Sequence, residues 1–322
     1  MNIKINNKFL DDFIKESSSK SVVVTLYEGH YHFGVAALIN SLEKSNFNGL
    51  IQIGFRGNLP NWTLGLEKID TTLFKLNSTI LINFLPVNSD IHFGYYKPNF
   101  MKDVLLDFES VEKVYYFDPD IVVYAPWSFY LDWTNSGVAL CLDNCFPFLH
   151  SNHPWRRSWR LLVEDSSGQN HEINYYVNCG FIGLAREEAK ILDEWIFLTK
   201  RYQKMGGNVK SFDKEGHLSF KGDQDLLNAA ITLNNNLNLS IIGTEGMGFT
   251  HPAYLMVHAV GDIKPWRENF LKSMIYKGRK PTFGAKSYFQ FCDGPIKAYS
   301  QLKLLRIKIA MKIAMVLGRL IG

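Results

Sequence analysis

The sequence lacks long apolar runs and paired cysteines. No stretch of about 18 apolar residues occurs, so a membrane-spanning helix is not expected. Charged residues interrupt the short apolar stretch within residues 1–20, so a secretory signal is not expected either. The four cysteines show no C-x-x-C spacing, which is typical of reduced thiols in a cytosolic protein. These absences predict a cytoplasmic protein, and 322 residues are enough for one large domain with a short appendage.

Acidic residues are also missing from the last part of the chain. Five cations lie between Lys303 and Arg319, and subtracting them from the formal net charge of +4 leaves −1 for the rest. Because the basicity is mainly a property of this tail, nucleic-acid binding by the body of the protein is not expected.

Apart from its cations, the tail is almost wholly apolar. On a helical projection Lys308, Lys312 and Arg319 fall in one narrow stripe, and Leu, Ile and Met cover the rest. This pattern predicts an amphipathic helix at 300–321 that associates peripherally with the anionic inner face of the cell membrane. A C-terminal helix docked on its own domain is the alternative.

Strand-like and helix-like segments alternate along the chain. Apolar runs predict strands at 21–26, 50–55, 78–87, 111–126 and 175–184, and helical periodicity predicts helices at 34–42, from near Pro98, at 186–203 and at 223–231. This order is typical of an α/β fold with a Rossmann-like, mainly parallel mixed sheet and helices on both faces. Ligands of such sheets bind beyond the carboxyl ends of the strands.

The segment Asp118-Pro119-Asp120 follows the apolar strand Val114–Phe117. Two carboxylates at i and i+2 lie on the same side of an extended backbone, and the proline between them has no N–H with which to continue a sheet. The pair is therefore expected at the carboxyl edge, where its oxygens suit a hard divalent cation that bridges a diphosphate. A solvated acidic turn is the alternative, and Asp223-Gln224-Asp225 has the same spacing at a helix start, where acids serve as caps.

A second cluster, HAVGDIKPW, runs from His258 to Trp266. A histidine after an apolar run can add a nitrogen ligand, which favours Mn²⁺ over Mg²⁺. Gly261 permits close backbone approach, and Lys264 supplies a mobile charge for phosphate. Taken alone, the segment is more typical of a core histidine followed by a Pro-Trp turn.

Four segments, FDPDIVV, VNCGFIGL, DQDLLNAA and HAVGDIKPW, occur in this order. Together they resemble the motifs of glycosyltransferase family 8, which includes glycogenin and bacterial lipopolysaccharide galactosyl- and glucosyltransferases, and the match covers roughly residues 21–266. The resemblance implies a GT-A fold and a retaining, metal-dependent hexosyltransferase of cell-surface polysaccharide or lipopolysaccharide synthesis. Its donor would be a nucleoside diphosphate sugar such as UDP-hexose, and its acceptor a glycan or glycolipid.

The resemblance also assigns roles to individual residues. The metal ligands would be Asp118, Asp120 and His258, holding Mn²⁺ or, as the alternative, Mg²⁺. The implied donor contacts are Gly261 and Lys264 on the diphosphate, Lys97 on the nucleotide side, and Asn178, Asp223 and Gln224 around the sugar. In the first strand we expect donor contacts from Thr25 and from Tyr27, whose ring could stack on a base.

Two positions depart from the family pattern, and the nucleophile stays open. Ala259 stands where the family often has an aromatic residue, and the first strand reads TLYEGHY where relatives commonly carry an acid that touches the base. Asp223 and Asp225 are candidate nucleophiles, and a front-face mechanism without a covalent intermediate is equally open.

The remaining expectations concern domain organisation and rival functions. We expect an N-terminal segment at 1–20, the GT-A domain at 21–266 with an acceptor-side insertion at 145–172, and a C-terminal extension at 267–322. The insertion's HPWRRSWR suits sugar stacking and phosphate binding, and a surface loop that is pinned by buried tryptophans is an equally expected alternative.

A non-catalytic sugar-nucleotide or glycan-binding module is the alternative function. A haloacid-dehalogenase phosphatase is disfavoured because Ile121-Val122 replaces its hydroxyl residue, and a sugar nucleotidyltransferase because the first strand is not followed by a glycine-rich loop.

Overall fold

The computed structural model describes residues 2–162, 172–211, 219–220, 222–234, 236–250 and 254–321. Part of the predicted insertion at 145–172 therefore lies outside the described residues. The α-helices are α1 (Asn2–Glu16), α2 (His32–Lys44), α3 (Phe93–Asp107), α4 (Trp127–Asn135), α5 (Pro154–Arg160), α6 (Lys190–Lys204), α7 (Asp223–Leu233), α8 (Phe270–Lys277), α9 (Phe283–Gln290) and α10 (Gln301–Ile321). The strands are β1 (Ser21–Glu28), β2 (Gly49–Arg56), β3 (Glu67–Lys68), β4 (Leu73–Lys75), β5 (Ile80–Pro86), β6 (Lys113–Phe117), β7 (Ile121–Val123), β8 (Val138–Leu142), β9 (Val177–Ala185), β10 (Leu239–Ile242) and β11 (Met256–His258).

The main sheet is mixed and mainly parallel, with the strand order β10-β8-β9-β6-β1-β2-β5-β4-β3. Its centre, β5-β2-β1-β6, is parallel, whereas β9 runs antiparallel to both β6 and β8. The predicted α/β class, with its mixed sheet and C-terminal helix, is confirmed.

Side chains of the central strand β1 alternate between two apolar cores. Val22, Val24 and Leu26 face the cluster that contains α3, α6 and α7, while Val23 and Tyr27 face the cluster that contains α2 and α4. This alternation follows from the period-two geometry of a strand, and burial on both faces explains why β1 is a continuous apolar run. Helices therefore cover both faces of the sheet.

The N-terminal helix α1 is part of the packed structure. Leu10 and Ile14 are fully buried in the same core cluster as β1, and the Asp11 carboxylate accepts hydrogen bonds from the Ser110 N–H and hydroxyl. The segment expected to precede the domain thus packs into its core through an amphipathic face.

Two predicted elements have other boundaries in the structure. The helix expected from near Pro98 begins at Phe93 with His92 as its N-cap, where Nδ1 of His92 accepts the Gly94 N–H, so Pro98 lies in the second turn. The single strand expected at 111–126 is broken at Asp118, and its second half, β7, leaves the main sheet to pair antiparallel with β11. The proline of the acidic segment explains this break, because it cannot donate to the ladder.

The tail forms α10, and one face of it docks on α8 through buried Leu304, Met311 and Ala314. Its opposite face exposes large apolar side chains three and four residues apart, namely Leu302, Leu305, Ile309, Ile313, Val316 and Leu320. Within the described ranges, none of the helices has the length and apolar content needed to span a membrane. The helix therefore has one apolar face buried against the domain and a second apolar stripe exposed to solvent.

Candidate active site

The pairing of β7 with β11 brings the two predicted motifs together. Ile121 lies opposite His258 in the antiparallel ladder, and the Ala259 N–H donates to the Asp120 carbonyl over 2.9 Å. On the other side, the Asp118 N–H donates to the Gly180 carbonyl of β9 over 2.7 Å. A Cβ at Gly180 would lie 2.5 Å from Cε1 of His258, so only glycine leaves room for the imidazole there.

Asp118, Asp120 and His258 form a cluster that can hold a divalent cation. One potential ligand atom from each lies within 4.8 Å of the others. Nε2 of His258 is 3.2 Å from Oδ1 of Asp120 and 3.8 Å from Oδ2 of Asp118. Nδ1 of His258 is buried and has no hydrogen-bond partner among the described residues, so Nε2 is the nitrogen directed at the carboxylates. Two carboxylates and one imidazole are a suitable ligand set for a metal that accepts both oxygen and nitrogen.

Lys264 contacts the same cluster. Its ammonium donates to Oδ2 of Asp120 over 2.6 Å. Burial disfavours the charge on Lys264, but attraction by Asp120 outweighs it and raises the pKa of the lysine. Burial likewise opposes the charge on Asp120, yet His258 and Lys264 together lower its pKa. Asp120 is therefore an ionised carboxylate that already has a cationic partner.

Lys97 contacts both acidic segments. It is buried in the second turn of α3, with its ammonium 3.0 Å from Oδ1 of Asp118 and 2.9 Å from Oδ2 of Asp223. It also donates to the Cys179 carbonyl over 3.1 Å. Burial opposes the lysine charge, but the two carboxylates raise its pKa well above the ordinary value. Lys97 thus bridges the two acidic segments, and its contact to the nucleotide side stays a prediction.

The Asp223-Gln224-Asp225 segment is not a capping turn. The N-cap of α7 is Gly222, and no side chain caps it. Oδ2 of Asp223 faces Lys97 and accepts a hydrogen bond from the Cys179 thiol over 3.1 Å. Burial opposes the Asp223 charge, but Lys97 lowers the pKa of this carboxyl. Asp225 accepts the Tyr176 hydroxyl over 2.7 Å, so the two acids have different surroundings.

One cavity of about 370 Å³ collects most of the predicted site. Of the residues expected from the sequence, it is lined by Lys97, Asp118, Asp120, Asp223, His258 and Lys264, and also by Tyr27. Sequence reasoning missed several other lining residues, among them Tyr31, His92, Tyr116 and Cys179. Tyr116 had a usable signal, because it precedes Asp118 by two positions on a strand, and its hydroxyl donates to Oδ1 of Asp118 over 3.0 Å.

Two expected contacts in the first strand are corrected by the packing. The Tyr27 ring is 2% exposed and stacks on Phe55 inside the core, so it cannot stack on a base. Burial also raises the pKa of its hydroxyl. Thr25 is fully buried on the same face of β1, away from the cavity. Tyr31, half-buried just beyond the carboxyl end of β1, also lines the cavity.

Three other predicted residues are not among the residues that line this cavity. Gly261 is exposed in the loop after β11 with φ +124° and lines a separate small cavity. The Gln224 side chain accepts the Cys179 N–H over 3.2 Å, and Asn178 donates to Asp143 over 2.9 Å. Gln224 and Asn178 thus brace the start of β9 next to the site.

The HPWRRSWR segment is mainly structural where it is described. Arg156 is fully buried and donates to the carbonyls of Leu149 and Tyr175, and the fully buried Trp159 donates to the Ser219 carbonyl over 2.7 Å. These two residues therefore have the structural role that the alternative predicted, although the segment they anchor is helix α5 and not a loop.

Comparisons with known proteins find fold-level likeness to glycosyltransferases. No protein family matches the chain, and no curated protein does. The chain is similar to the galactosyltransferase LgtC in complex with donor and acceptor sugar analogs, with 13% identity over 84% of this chain and 94% of that one and a TM-score of 0.48. It is also similar to the bifunctional glycosyltransferase WbbM, with 15% identity over 91% of this chain and 52% of that one and a TM-score of 0.47. The glycosyltransferase GlyE of Streptococcus pneumoniae is similar with 12% identity over 91% of this chain and 64% of that one, and a TM-score of 0.42. Overlaps this loose transfer no function, which is therefore argued from the site itself.

Proposed function

We propose that the protein is a metal-dependent glycosyltransferase of the GT-A type. It would transfer a hexosyl group from a nucleoside diphosphate sugar, UDP-hexose in the first instance, to a glycan or glycolipid with retention of configuration. The observation that carries this proposal is the meeting of Asp118, Asp120 and His258 with Lys264 and Asp223 in one cavity. The cavity lies at the carboxyl ends of β1 and β6, where ligands of parallel sheets bind.

The metal site fits a cation that binds diphosphate. Asp118, Asp120 and His258 would hold it, and we propose Mn²⁺ because the set contains one nitrogen. When bound, such a cation neutralises charge on a leaving diphosphate. Mg²⁺, which prefers oxygen ligands, is the weaker fit.

Lys264 would be a second cationic contact to the diphosphate, in addition to the metal. Its ammonium is partly exposed at the end of a flexible side chain and now contacts Asp120. A neutral lysine could not stabilise a phosphate oxygen, and the raised pKa of Lys264 keeps its charge at physiological pH. The same side chain can move from Asp120 to a donor phosphate, where charge develops during transfer.

Asp223 would act on the sugar side. Of the two candidate nucleophiles, Asp223 lines the cavity, whereas Asp225 is held by the Tyr176 hydroxyl. Lys97 keeps Asp223 ionised, which suits a carboxylate that accepts sugar hydroxyls or stabilises positive charge at the anomeric carbon. The choice between a covalent intermediate and a front-face mechanism stays open, and Asn178 and Gln224 would position the segment that carries the site.

We propose further that α10 delivers the enzyme to a membrane-linked acceptor on the cytoplasmic face. Its exposed apolar stripe runs the length of the helix, and Lys308, Lys312 and Arg319 lie beside it. Each cation near an anionic leaflet is worth about 1 kcal/mol, and burial of the stripe adds to this. Docking on α8 does not compete with membrane contact, because it uses the opposite face.

Donor hydrolysis is the experiment that tests the proposed activity. A screen of nucleoside diphosphate sugars by thermal shift, with Mn²⁺ and with EDTA, should identify a donor that stabilises the protein only with metal. Incubation with that donor should release free nucleoside diphosphate slowly without acceptor. Metal-dependent binding without any release, with or without acceptors, would favour the non-catalytic binding module instead.

A further inference from the structure

A second and larger cavity lies next to the metal site, and we call it the basic groove. Its volume is about 1400 Å³, compared with about 370 Å³ for the metal cavity. It opens between the carboxyl ends of β1 and β2, the turn at Trp266, and the segment that leads into α10. Tyr27 borders both cavities, and Tyr31 of the metal cavity makes an edge contact with Trp266 of the groove at 5.2 Å between ring centroids.

The charges of the basic groove are of one sign. Among the residues that the structure describes, its lining includes four cations and no Asp or Glu; the cations are Arg56, Arg267, Lys297 and Lys303. Arg56 is paired with Glu28 at 3.3 Å. Among the described residues, Arg267, Lys297 and Lys303 form no ion pair. Clustered cations without counterions repel one another, and an anionic ligand relieves this repulsion.

The walls of the groove also contain aromatic rings and amide groups. Phe33 and Tyr299 stack at 5.0 Å between ring centroids, and the Lys303 ammonium lies 5.4 Å from the Tyr299 ring centre. Asn58 and Asn61 add amide groups from the loop after β2. Aromatic faces and amides beside guanidinium and ammonium groups are a combination that binds phosphorylated sugars or lipid headgroups.

From these features we infer that the basic groove is a binding site for a phosphate-bearing ligand, separate from the metal site. Arg267 and Lys297 would be its principal cations, because both are exposed and neither is paired. That the phosphate belongs to the acceptor rests on the proposed function, whereas phosphate binding itself does not. The position of the groove at the first turn of α10 places it where a membrane-bound enzyme would meet phosphate groups.

The first experiment measures binding of inorganic pyrophosphate by calorimetry in EDTA, which removes any contribution of the metal site. The full-length protein should bind saturably, and Arg267→Gln/Lys297→Gln should weaken binding about tenfold or more, because charge-assisted bonds are lost. Lys308→Gln/Lys312→Gln removes the same charge from α10 outside the groove and should bind like the unchanged protein. Absence of saturable binding, or equal loss in both double variants, would overturn the inference.

A second pair of measurements separates the groove from the donor site and identifies the source of the phosphate. UDP binding with Mn²⁺ should be unchanged in Arg267→Gln/Lys297→Gln; its loss would make the groove part of the donor site and overturn the inference. Binding to phosphatidylglycerol vesicles should be weaker for this variant than for the unchanged protein if a lipid headgroup occupies the groove. Vesicle binding equal to that of the unchanged protein, with the loss of pyrophosphate binding retained, would assign the groove to a soluble phosphorylated glycan.

Discussion

The Lys97 ammonium lies 2.9 Å from Oδ2 of Asp223 and, at the same time, 3.0 Å from Oδ1 of Asp118. A single buried cation on α3 thus connects a candidate metal ligand on the β6 side with a carboxylate at the start of α7. Burial opposes each of these three charges taken singly. Attraction between the lysine and the two carboxylates offsets that cost here. The geometry of the two acidic segments therefore depends on a residue from a third element.

Removing Lys97 should destabilise the fold in a pH-dependent way. In Lys97→Met, the buried Asp223 and the partly exposed Asp118 lose their counterion, and the free energy of unfolding should fall by about 3–5 kcal/mol at neutral pH. Lys97 holds the pKa of Asp223 down against burial, so without it that pKa should rise. Part of the loss should then be recovered as pH falls and the carboxylate takes up a proton.

Urea denaturation at pH 7 and pH 5 checks this prediction. Lys102→Met is the matched control, because Lys102 lies on the same helix and pairs with Asp193 at the surface. That variant should change stability by less than about 1 kcal/mol at either pH. A similarly small change for Lys97→Met would show that the bridge contributes little.

Asp120→Asn should abolish metal-dependent activity. The substitution removes one ionised ligand of the proposed Asp118-Asp120-His258 site, so Mn²⁺ affinity should fall, and transfer should slow by about 10³-fold or more. Free Mn²⁺ can be titrated by electron paramagnetic resonance, independently of turnover. Full activity in EDTA, or in this variant, would refute the metal assignment.

Asp223→Asn should separate the sugar side from the metal side. Because Asp223 contacts Lys97 and is not one of the three candidate metal ligands, turnover should drop while Mn²⁺-dependent binding of UDP stays nearly unchanged. Calorimetric titration with UDP and a transfer assay measure the two effects. Equal loss of UDP binding in the Asp223 and Asp120 variants would mean that the division of roles is wrong.

Lys264→Ala should lower kcat and not only raise KM. A cation on the departing diphosphate matters most as negative charge develops there. The structure adds a second expectation: since Lys264 now occupies Oδ2 of Asp120, its removal should leave Mn²⁺ affinity equal or higher. A pure KM effect would show that the lysine only holds the donor, and weaker Mn²⁺ binding would show that it supports the metal site.

The exposed stripe of α10 should govern membrane binding. Replacing Leu305, Ile309 and Ile313 by serine removes apolar area that faces solvent, so co-sedimentation with anionic vesicles should fall while the melting temperature changes little. Met311→Ser, on the docked face, should instead destabilise the protein by about 2 kcal/mol or more. High salt should weaken vesicle binding only in part, because the hydrophobic share is not screened. If the triple variant sediments like the unchanged protein, the stripe does not contact membrane.

The sequence alone determined the features that depend on local periodicity. The apolar runs at 21–26, 50–55, 78–87, 111–126 and 175–184 predict β1, β2, β5, β6 with β7, and β9. The carboxylate pair is expected at the carboxyl end of β6, where the structure has the pair beside a cavity. The helical pattern of the tail predicts α10. These features need only neighbouring residues, because strand and helix geometry repeat over two and about 3.6 residues.

Only the tertiary structure decided which side chains are buried and which residues contact one another. Tyr27 and Thr25 follow the strand rule, but the side of β1 that they share is covered by α2, so both side chains are buried, although Tyr27 still lines the metal cavity. Lys97 became a bridge because α3 begins five residues before Pro98 and packs beside β6. The tail pattern fits both docking and membrane contact, and the contact with α8 decides which stripe is hidden. In each case the partner lies far away in sequence, and packing between elements, not local pattern, selects the buried face.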